Sequence, residues 1–414
     1  MLSYPFSTYT ELNPAEVVGV PAGVKSQLPQ ALIFLALALG LTAWLRSQDI
    51  LLAGTWLFGL SLGYVLQRSR FCFVACFRDP WITGNTSLSR ALVLSLMIAT
   101  LAFALASLYL DRPGEVYPVG WHMLLGGFIF GIGMVLAGGC ATGTLTRAGE
   151  GHVLQWLVLI AFILGSLWGA HDFGWWHKVF IKEAPLIFFP DWAGWFWALF
   201  LQIVFLGGIY LGLLRLERRA FPGTLSTSSI QIKGLEEVSK QPFWSRAWPY
   251  WVGGVLIALL DAGLLVFRGS PWGITTAFTY WGAKIYRLLG GAPESWYYFM
   301  LPENALALKT PFFREPRTIL NLGIIAGSLL SALFASEFRA RFPRSFQGAT
   351  WSLAGGLLMG YGARVGMGCN IGSFFNGIAS LSLHGFVFGL GLVLGAYLGI
   401  HLLLRFLVGD LSKA

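Results

Sequence analysis

Two glycine–cysteine segments of this chain are copies of one another. The first reads GGFIFGIGMVLAGGCATGT (126–144) and the second reads GGLLMGYGARVGMGCNIGS (355–373). At a constant offset of 229 residues, six glycines and one cysteine coincide: Gly126 with Gly355, Gly127 with Gly356, Gly131 with Gly360, Gly133 with Gly362, Gly139 with Gly368, Cys140 with Cys369 and Gly143 with Gly372. Two copies of an apolar helix that ends in a Gly-Cys break predict a duplicated membrane protein, in which such breaks lie where a polar solute meets the bilayer.

Composition assigns the chain to the polytopic membrane proteins. Of its 414 residues, 56% are hydrophobic and 11% are charged, whereas a soluble domain needs more charge to cover its surface. Ten apolar runs are each long enough for a helix that crosses about 30 Å of hydrocarbon. We expect these spans at 31–46, 50–66, 90–110, 121–138, 153–171, 194–214, 248–267, 318–336, 349–365 and 385–405. The net charge of +9 lies between the spans, as basic cytoplasmic loops require, and forms no continuous basic face for nucleic acid.

Three regions between the spans are too apolar and too rich in glycine and proline for ordinary loops. They are 69–84, 139–147 with its copy 368–380, and 269–283. We expect re-entrant half-helices there, because irregular backbone at membrane depth is tolerated only where protein buries it or where it lines a cavity.

The distribution of Lys and Arg predicts the orientation of the spans. Placing the basic segment 215–247 in the cytoplasm also places both termini there, together with 67–90, 147–152 and 337–348. The helix before the first Gly-Cys break then runs inwards and the helix before the second runs outwards. The two halves are therefore expected to be inverted-topology repeats, an architecture of transporters and channels.

The predicted fold is an all-α polytopic membrane protein with about ten transmembrane helices, re-entrant half-helices and two inverted repeats. It is expected in the cytoplasmic (inner) membrane, with membrane lipids around it and both termini in the cytoplasm. Its parts are an N-terminal segment with one extra span (1–49), a first repeat half (50–214), a cytoplasmic linker (215–247) and a second repeat half (248–414).

The Gly-Cys breaks are the strongest candidates for a binding site. Glycines allow the backbone to turn sharply before a half-helix, whose free N–H groups and dipole attract anions. Cys140 and Cys369 add weak S–H donors and polarizable sulfurs, which suit a sulfur-bearing anion that must bind and then leave. Thr142 and Asn370 lie beside these cysteines and can supply further hydrogen bonds. Alternatively, the glycines serve only close helix packing and the cysteines are small core residues.

The segment RSRFCFVACFRDPWITG, after the second span, carries two more cysteines. Cys72 and Cys76 have C-x3-C spacing, which places both thiols on one face of a helix and differs from the redox C-x2-C motif. These thiols can continue a path that begins at Cys140, and Arg70 is among the arginines that can draw in an anion. The alternative is that the arginines reflect only cytoplasmic topology, with Arg78 in a surface ion pair.

Arg364 lies within the ninth span, five residues before the second break. Because a charge is unfavourable in the membrane, this arginine is expected to face a polar interior and attract an anion, unless it pairs with a carbonyl or extends to one end of the span. Asp261, late in the seventh span, is the one acidic candidate for a proton relay. His122 and His384 flank spans and are interpreted as membrane-interface residues. The sequence has no metal-ligand spacing, P-loop or hydrolase motif, so no metal, cofactor or catalytic residue is expected.

In this order, RSRFC (68–72), FRDPWITG (77–84), GGCATGTLTRAGEG (138–151) and MGCNIGSFFNGIASLSLHG (367–385) resemble the YeeE/YedE family of sulphur-transport membrane proteins. The resemblance covers about residues 50–405. It implies an hourglass-shaped permease of inverted repeats that imports thiosulfate, passing the ion between thiols in a narrow waist. By motif, the resemblance matches Cys140 and Cys369 to the two waist cysteines and Cys72 to the cysteine of the RxRFC segment. It also implies a small cytosolic sulfur-carrier protein of the TusA type as partner.

Two features leave the transported ion open. The first copy resembles the thiosulfate-permease branch, whereas the second is more similar to the YedE branch, which is associated with selenium metabolism. In the second half, GSPWGITTAFTYWGA (269–283) occupies the place of RSRFC without a cysteine, so Thr275 or Thr276 is expected to replace a thiol.

The sequence therefore predicts an inner-membrane permease, not an enzyme, for a small sulfur-containing anion, most of all thiosulfate. The first alternative is transport of a selenium or other sulfur species. Alternatives from other classes are a membrane thiol oxidoreductase or sulfurtransferase, and a structural subunit of a larger complex.

Overall fold

The computed structural model describes residues 26–220, 242–343 and 345–405. Most of the predicted cytoplasmic linker, including Lys233 and Lys240, lies outside the described residues. The same holds for the two predicted cytoplasmic termini.

The described residues form helices joined by short connections. In chain order these are α1 (Leu28–Gln48), α2 (Ile50–Arg68), α3 (Phe73–Ile82), α4 (Ser87–Leu110), α5 (Trp121–Leu136), α6 (Ala141–Gly149), α7 (Val153–Trp176, continued by a π-turn His177–Ile181), α8 (Phe189–Ala220, kinked at Gly194), α9 (Tyr250–Arg268), α10 (Thr275–Leu288), α11 (Tyr297–Met300), α12 (Pro302–Lys309), α13 (Pro316–Phe334), α14 (Phe346–Val365), a π-helix (Asn370–Phe375), α15 (Asn376–Ala379) and α16 (Leu383–Leu403).

All ten predicted spans correspond to long helices, and the class of all-α polytopic membrane protein is confirmed. Nine of these helices, among the described residues, are long and apolar enough to cross a membrane. The tenth, α14, is more polar because it contains Gln347 and Arg364, and it packs between α5 and α7. A short helix begins in each predicted re-entrant region: α3, α6, α10, and the π-helix with α15.

The equivalent helices α5 and α14, which carry the duplicated glycines, run in opposite directions against each other. A Cβ added to Gly126 would meet the backbone of Gly366, whereas one added to Gly133 would meet the backbone of Gly355. The contact therefore moves backwards along α14 as it moves forwards along α5. Equivalent helices that lie antiparallel are what an inverted repeat requires, and the glycines let their backbones approach.

The remaining helices pack in reciprocal pairs across the two halves. Helix α5 packs on α16, and its equivalent in the second half, α14, packs on α7, which is the equivalent of α16. In the same way α2 packs on α13, and its equivalent α9 packs on α4. The short helices follow the same rule. Helix α6 contacts α13, and its equivalent α15 contacts α4. Helix α3 contacts α16, and its equivalent α10 contacts α7. Each half thus completes the bundle of the other. Helix α1, the predicted extra span, packs against α2 and α13 at the edge.

Left-handed backbone recurs at equivalent positions of the two halves. Four pairs lie after equivalent helices, with φ between 50° and 96°: Arg70 and Gly269, Asp111 and Ser336, Gly138 and Met367, and Gly151 and Leu381. Three of these pairs contain one glycine, and the fourth contains none. The other five residues carry side chains that disfavour this conformation. The repeated turns therefore follow from the packing of the two halves.

Candidate functional site

Four short helices begin beside one another at the middle of the two halves. Helix α3 begins after Cys72, α6 after Cys140, the π-helix after Cys369, and α10 at Thr275. The thiol of Cys140 lies within electrostatic reach of those of Cys72 and Cys369, and the side chain of Thr275 lies beside the thiol of Cys369. We call these four residues the waist. Each contributes the start of a helix, where backbone N–H groups lack helical partners.

Cys140 is 1% exposed and caps α6, because its sulfur accepts the N–H of Gly143 at 3.4 Å. The hydroxyl oxygens of Thr142 and Thr144 are buried in the same helix and have no hydrogen-bond partner among the described residues. A buried hydroxyl without a partner is unfavourable, so this turn has donors to offer to a bound solute.

Cys369 is also 1% exposed and is followed by the buried side chain of Asn370. The Nδ2 of Asn370 donates to the sulfur of Met134 at 3.4 Å, and its Oδ1 has no partner within the described part of the chain. The second break thus resembles the first, with a buried thiol next to a polar group whose hydrogen bonds are incomplete.

Arg364 is 3% exposed and lies between the waist and the connection that follows α10. Its Nη2 donates to the hydroxyl of Thr275 at 2.9 Å, and its Nη1 donates to the hydroxyl of Tyr298, in α11, at 2.7 Å. Among the described residues no carboxylate lies within ion-pair distance of Arg364. Its positive charge also acts on the thiol of Cys369, so the waist lies in a positive field.

The first re-entrant arm, residues 69–84, places its side chains in three different surroundings. Cys72 is half-buried at the waist. The buried thiol of Cys76 also lies within electrostatic reach of Cys72 and Cys140, but it donates to the carbonyls of Cys72 and Leu88. The side chain of Arg70 is 63% exposed and lies outside the waist. Arg78 forms a surface ion pair with Asp79 at 2.8 Å, which was the alternative to an anion-attracting role.

The face of the bundle where α2 and α13 end carries a charged network, and we call it the linker face. Arg68, although 2% exposed, donates from Nη2 to Glu337 at 2.6 Å and from Nε to Ser331, and Arg70 lies 3.4 Å from the same carboxylate. Burial alone would raise the pKa of Glu337, but Arg68, Gln67 and Arg70 outweigh it and hold that pKa below its ordinary value. The sequence did not point to Glu337, because the connection after α13 in which it lies carries no motif.

The opposite face, where α4 and α9 end, carries a second set of partly buried charges, and we call it the outer face. Glu115 accepts the hydroxyl of Tyr117 at 3.0 Å, and the Nη1 of Arg317 donates to the hydroxyl of Tyr280 at 3.2 Å. Burial raises the pKa of Glu115, although Arg317 and Arg268 oppose the rise. Arg268 and Arg317 thus place positive charge near this face as well.

The interpretation of His122 and His384 as membrane-interface residues is wrong. Both are fully buried and lie within electrostatic reach of each other. The connection between α4 and α5 folds over them, and the N–H of Tyr117 donates to Nδ1 of His384 at 3.3 Å. A position at the end of an apolar run does not reveal that a connection covers it.

No group of three or more metal-binding side chains occurs among the residues that the structure describes. The described cysteines are all free thiols. The waist therefore offers hydrogen-bond donors, soft sulfurs and a positive field, which are the properties of a site for a small anion.

The chain matches the family described as Sulphur transport over residues 68–398. The thiosulfate transporter TsuA of Spirochaeta thermophila is 30% identical to it over 373 residues, which cover 84% of this chain and 98% of that protein. The thiosulfate transporter TsuA of Escherichia coli is 28% identical over 82% of this chain and 91% of that protein. The probable transporter YedE of Salmonella typhimurium is 34% identical over 161 residues, 39% of each chain.

Proposed function

The chain belongs to the sulphur-transport family, and from this premise we propose that it imports a small sulfur-containing anion, thiosulfate first of all, across the cytoplasmic (inner) membrane. The relatives that match most of the chain are both named as thiosulfate transporters. A multi-pass helical bundle with a buried, positive waist is suited to such a role.

The observation that carries the proposal is the shared neighbourhood of three thiols at the starts of short helices. Cys72, Cys140 and Cys369 are far apart in sequence, yet the charge on one would act on the next. Thiols are weak donors, so a sulfur-bearing anion can exchange S–H···S contacts from one cysteine to the next and still leave. Firm donors alone would hold an oxyanion too strongly for rapid passage.

The other predicted site residues have supporting roles in this proposal. Arg364 attracts the anion towards Cys369, and the free hydroxyl of Thr142 can donate to it. The free amide oxygen of Asn370 only accepts, so its role is to receive a donor such as a waist thiol. Arg70, exposed on the linker face, would attract the anion after it leaves the waist.

The orientation of the protein is part of the proposal. With the linker face in the cytoplasm, the anion enters from the outer face, and a TusA-type sulfur carrier could receive it at the linker face. The division into a first half (50–214) and a second half (248–414), joined by the linker, belongs to the same proposal. Importing a dianion against an inside-negative potential costs roughly 4.6 kcal/mol per 100 mV, so trapping or coupling to a cation is required.

The test is uptake of radiolabelled thiosulfate by cells that lack other thiosulfate importers. Cys140→Ala and Cys369→Ala should abolish uptake while the protein remains in the membrane. Cys76→Ala is the comparison variant, because that thiol lies near Cys72 and Cys140 but already donates to backbone carbonyls, so its loss should affect uptake less. Uptake that survives both waist substitutions would reduce these cysteines to packing residues. Absence of wild-type uptake would contradict thiosulfate as substrate and direct the assay to selenium oxyanions.

A membrane thiol enzyme makes a different prediction for the same cysteines. An oxidoreductase or sulfurtransferase would form a persulfide or a mixed disulfide at Cys72, Cys76, Cys140 or Cys369 during turnover. Transport by hydrogen-bond relay leaves every thiol intact. Mass spectrometry of the protein quenched during uptake distinguishes the two, and a thiosulfate-dependent persulfide would refute the relay.

A further inference from the structure

Asp261 is a fully buried carboxylic acid in the C-terminal part of α9. Its Oδ1 accepts the backbone N–H of Trp272 at 2.7 Å, and its Oδ2 is buried without a hydrogen-bond partner among the described residues. No ion pair to Asp261 occurs there either. An ionised carboxylate in such a place would be strongly disfavoured, whereas a protonated acid is tolerated.

Two charged groups act on the carboxyl of Asp261. Glu115 approaches from the connection between α4 and α5, and Arg268 lies at the end of α9 itself. Helices α2 and α4, which also pack on α9, bring no charged group into its range within the described residues. Glu115 is only partly buried and lies on the outer face, so it connects the acid with the side from which the anion enters.

Asp261 is attached to the second re-entrant arm, which we define as residues 269–275. The arm is held at two further points, because the carbonyl of Trp272 accepts from Asn376 at 2.9 Å and the carbonyl of Ile274 accepts from Asn321 at 3.0 Å. The arm ends at Thr275, which accepts from Arg364 at the waist. The acid therefore anchors the segment that leads to the anion route.

Through the second arm, the buried acid and the waist lie close along the chain, because Asp261 holds Trp272 and Arg364 holds Thr275. A negative ion at the waist makes a second negative charge on Asp261 more unfavourable, so a bound anion favours the protonated acid. By linkage, a proton on Asp261 must favour binding of the anion to the same extent. Each proton carried with a dianion also removes half of the electrical work of import.

We propose that Asp261 is a proton-binding site that couples anion import to proton entry, with Glu115 passing the proton from the outer face. The inference rests on the proposed function, since it names the coupling ion of the same transport. Asp261 takes a proton together with the anion and releases it after the anion has left the waist.

The experiment uses full-length protein in liposomes that contain a fluorescent pH indicator, with the membrane potential held at zero by potassium and valinomycin. Addition of external thiosulfate should produce uptake together with acidification of the interior. In Asp261→Asn the amide oxygen still accepts from Trp272, so the arm keeps its anchor. This variant should take up thiosulfate without acidification. Wild-type uptake should fall by up to about tenfold per unit of rising external pH once the acid ionises, and Asp261→Asn should lose that dependence.

Each outcome decides between the two proposals. Thiosulfate uptake by wild type without acidification refutes proton coupling and leaves the proposed function intact. Acidification that persists in Asp261→Asn shows that another group carries the proton and refutes the role of Asp261. Absence of wild-type uptake refutes the proposed function itself. A second measurement needs no variant: at zero potential, an inward proton gradient should accumulate thiosulfate, and failure to do so refutes coupling.

Discussion

The two re-entrant arms occupy equivalent places in the fold and carry different chemistry. The first arm brings Cys72, a half-buried thiol, to the start of α3. The second arm carries Trp272, held by the buried acid Asp261, and ends at Thr275, which accepts from Arg364. Duplication has thus preserved the backbone and separated the side chains. The first arm supplies a soft sulfur, whereas the second is held by a titratable acid and accepts from a charged arginine.

The packing of the two halves has diverged far less than their chemistry. The long helices pair reciprocally, and the duplicated glycines lie where backbones approach. Packing against an equivalent helix constrains both copies together, because a side chain added to one would displace the other. A residue at the proposed waist site would instead contact the solute, so the residue in one half can differ from its equivalent in the other.

The largest effect on uptake is expected from substitution of Arg364, which has no equivalent in the first half. Arg364→Gln should reduce thiosulfate uptake by about a hundredfold, because it removes the positive charge beside Cys369 as well as the donors to Tyr298 and Thr275. Arg364→Lys should recover only part of this, since one ammonium does not reproduce the forked guanidinium. Initial uptake rates at equal protein in the membrane measure both effects.

Arg70→Gln is the comparison variant, because it removes an exposed arginine that lies outside the waist, so its effect on uptake should be much smaller. If both arginine substitutions reduced uptake equally, the effect would come from general attraction of anions rather than from a site in the second half.

A second prediction concerns the symmetry of packing. Gly133→Ala and Gly362→Ala should destabilise the protein equally, by about 1–3 kcal/mol. In each case the new Cβ would lie 2.7 Å from backbone of the facing helix. Gly208→Ala, on α8, should not destabilise the protein, because nothing lies within 4 Å of its Cβ position and alanine is the better helix former. Thermal stability of the detergent-solubilised variants measures this. Unequal losses at Gly133 and Gly362 would show that the two copies no longer share one packing constraint.

A third prediction compares the soft sulfur of one arm with the hydroxyl of the other. Cys72→Ala and Thr275→Val should each reduce uptake by about tenfold, the first by removing a weak donor and the second by removing an acceptor of Arg364. Thr275→Ser keeps the hydroxyl and should retain uptake. Retention of full uptake in Cys72→Ala would mean that the first arm contributes only its helix start to the waist.

Much of the fold could be predicted from the sequence, because membrane helices have to be long and apolar. Each of the ten runs corresponds to a helix, and the copied glycines indicated the duplication directly. The Gly-Cys breaks could be located for the same reason, since a glycine-rich interruption of an apolar run marks irregular backbone that the protein has to bury. The partners of the site residues could not be predicted in this way. Tyr298 has no sequence signal of its own and becomes the partner of Arg364 only through the folding of the connection after α10.

The error at His122 and His384 has the same physical origin. The burial of a residue at a helix end depends on the path of a connection, and connections have no periodicity to interpret. The surroundings of Asp261 also depend on such a path, because its partner Trp272 belongs to an arm that turns back after α9.

The smallest expected effect concerns the linker face, where the first half depends on a carboxylate of the second. Since the folded pKa of Glu337 is below its ordinary value of 4.5, the pair with Arg68 contributes stability above pH 4.5 and loses it as pH falls through the folded pKa. Glu337→Gln should lower stability at neutral pH by about 1 kcal/mol, because the carboxylate is partly exposed and water screens part of the lost interaction.

Thermal unfolding of the solubilised wild type and Glu337→Gln across a pH series measures this contribution. The two proteins should differ at neutral pH and converge as pH falls below 4.5 and through the folded pKa of Glu337. Burial and Arg341 lower the pKa of His152 from 6.5, so this residue destabilises both proteins alike as pH falls below 6.5, and only their difference reports on Glu337. A difference independent of pH would show that Glu337 acts through packing and not through its charge.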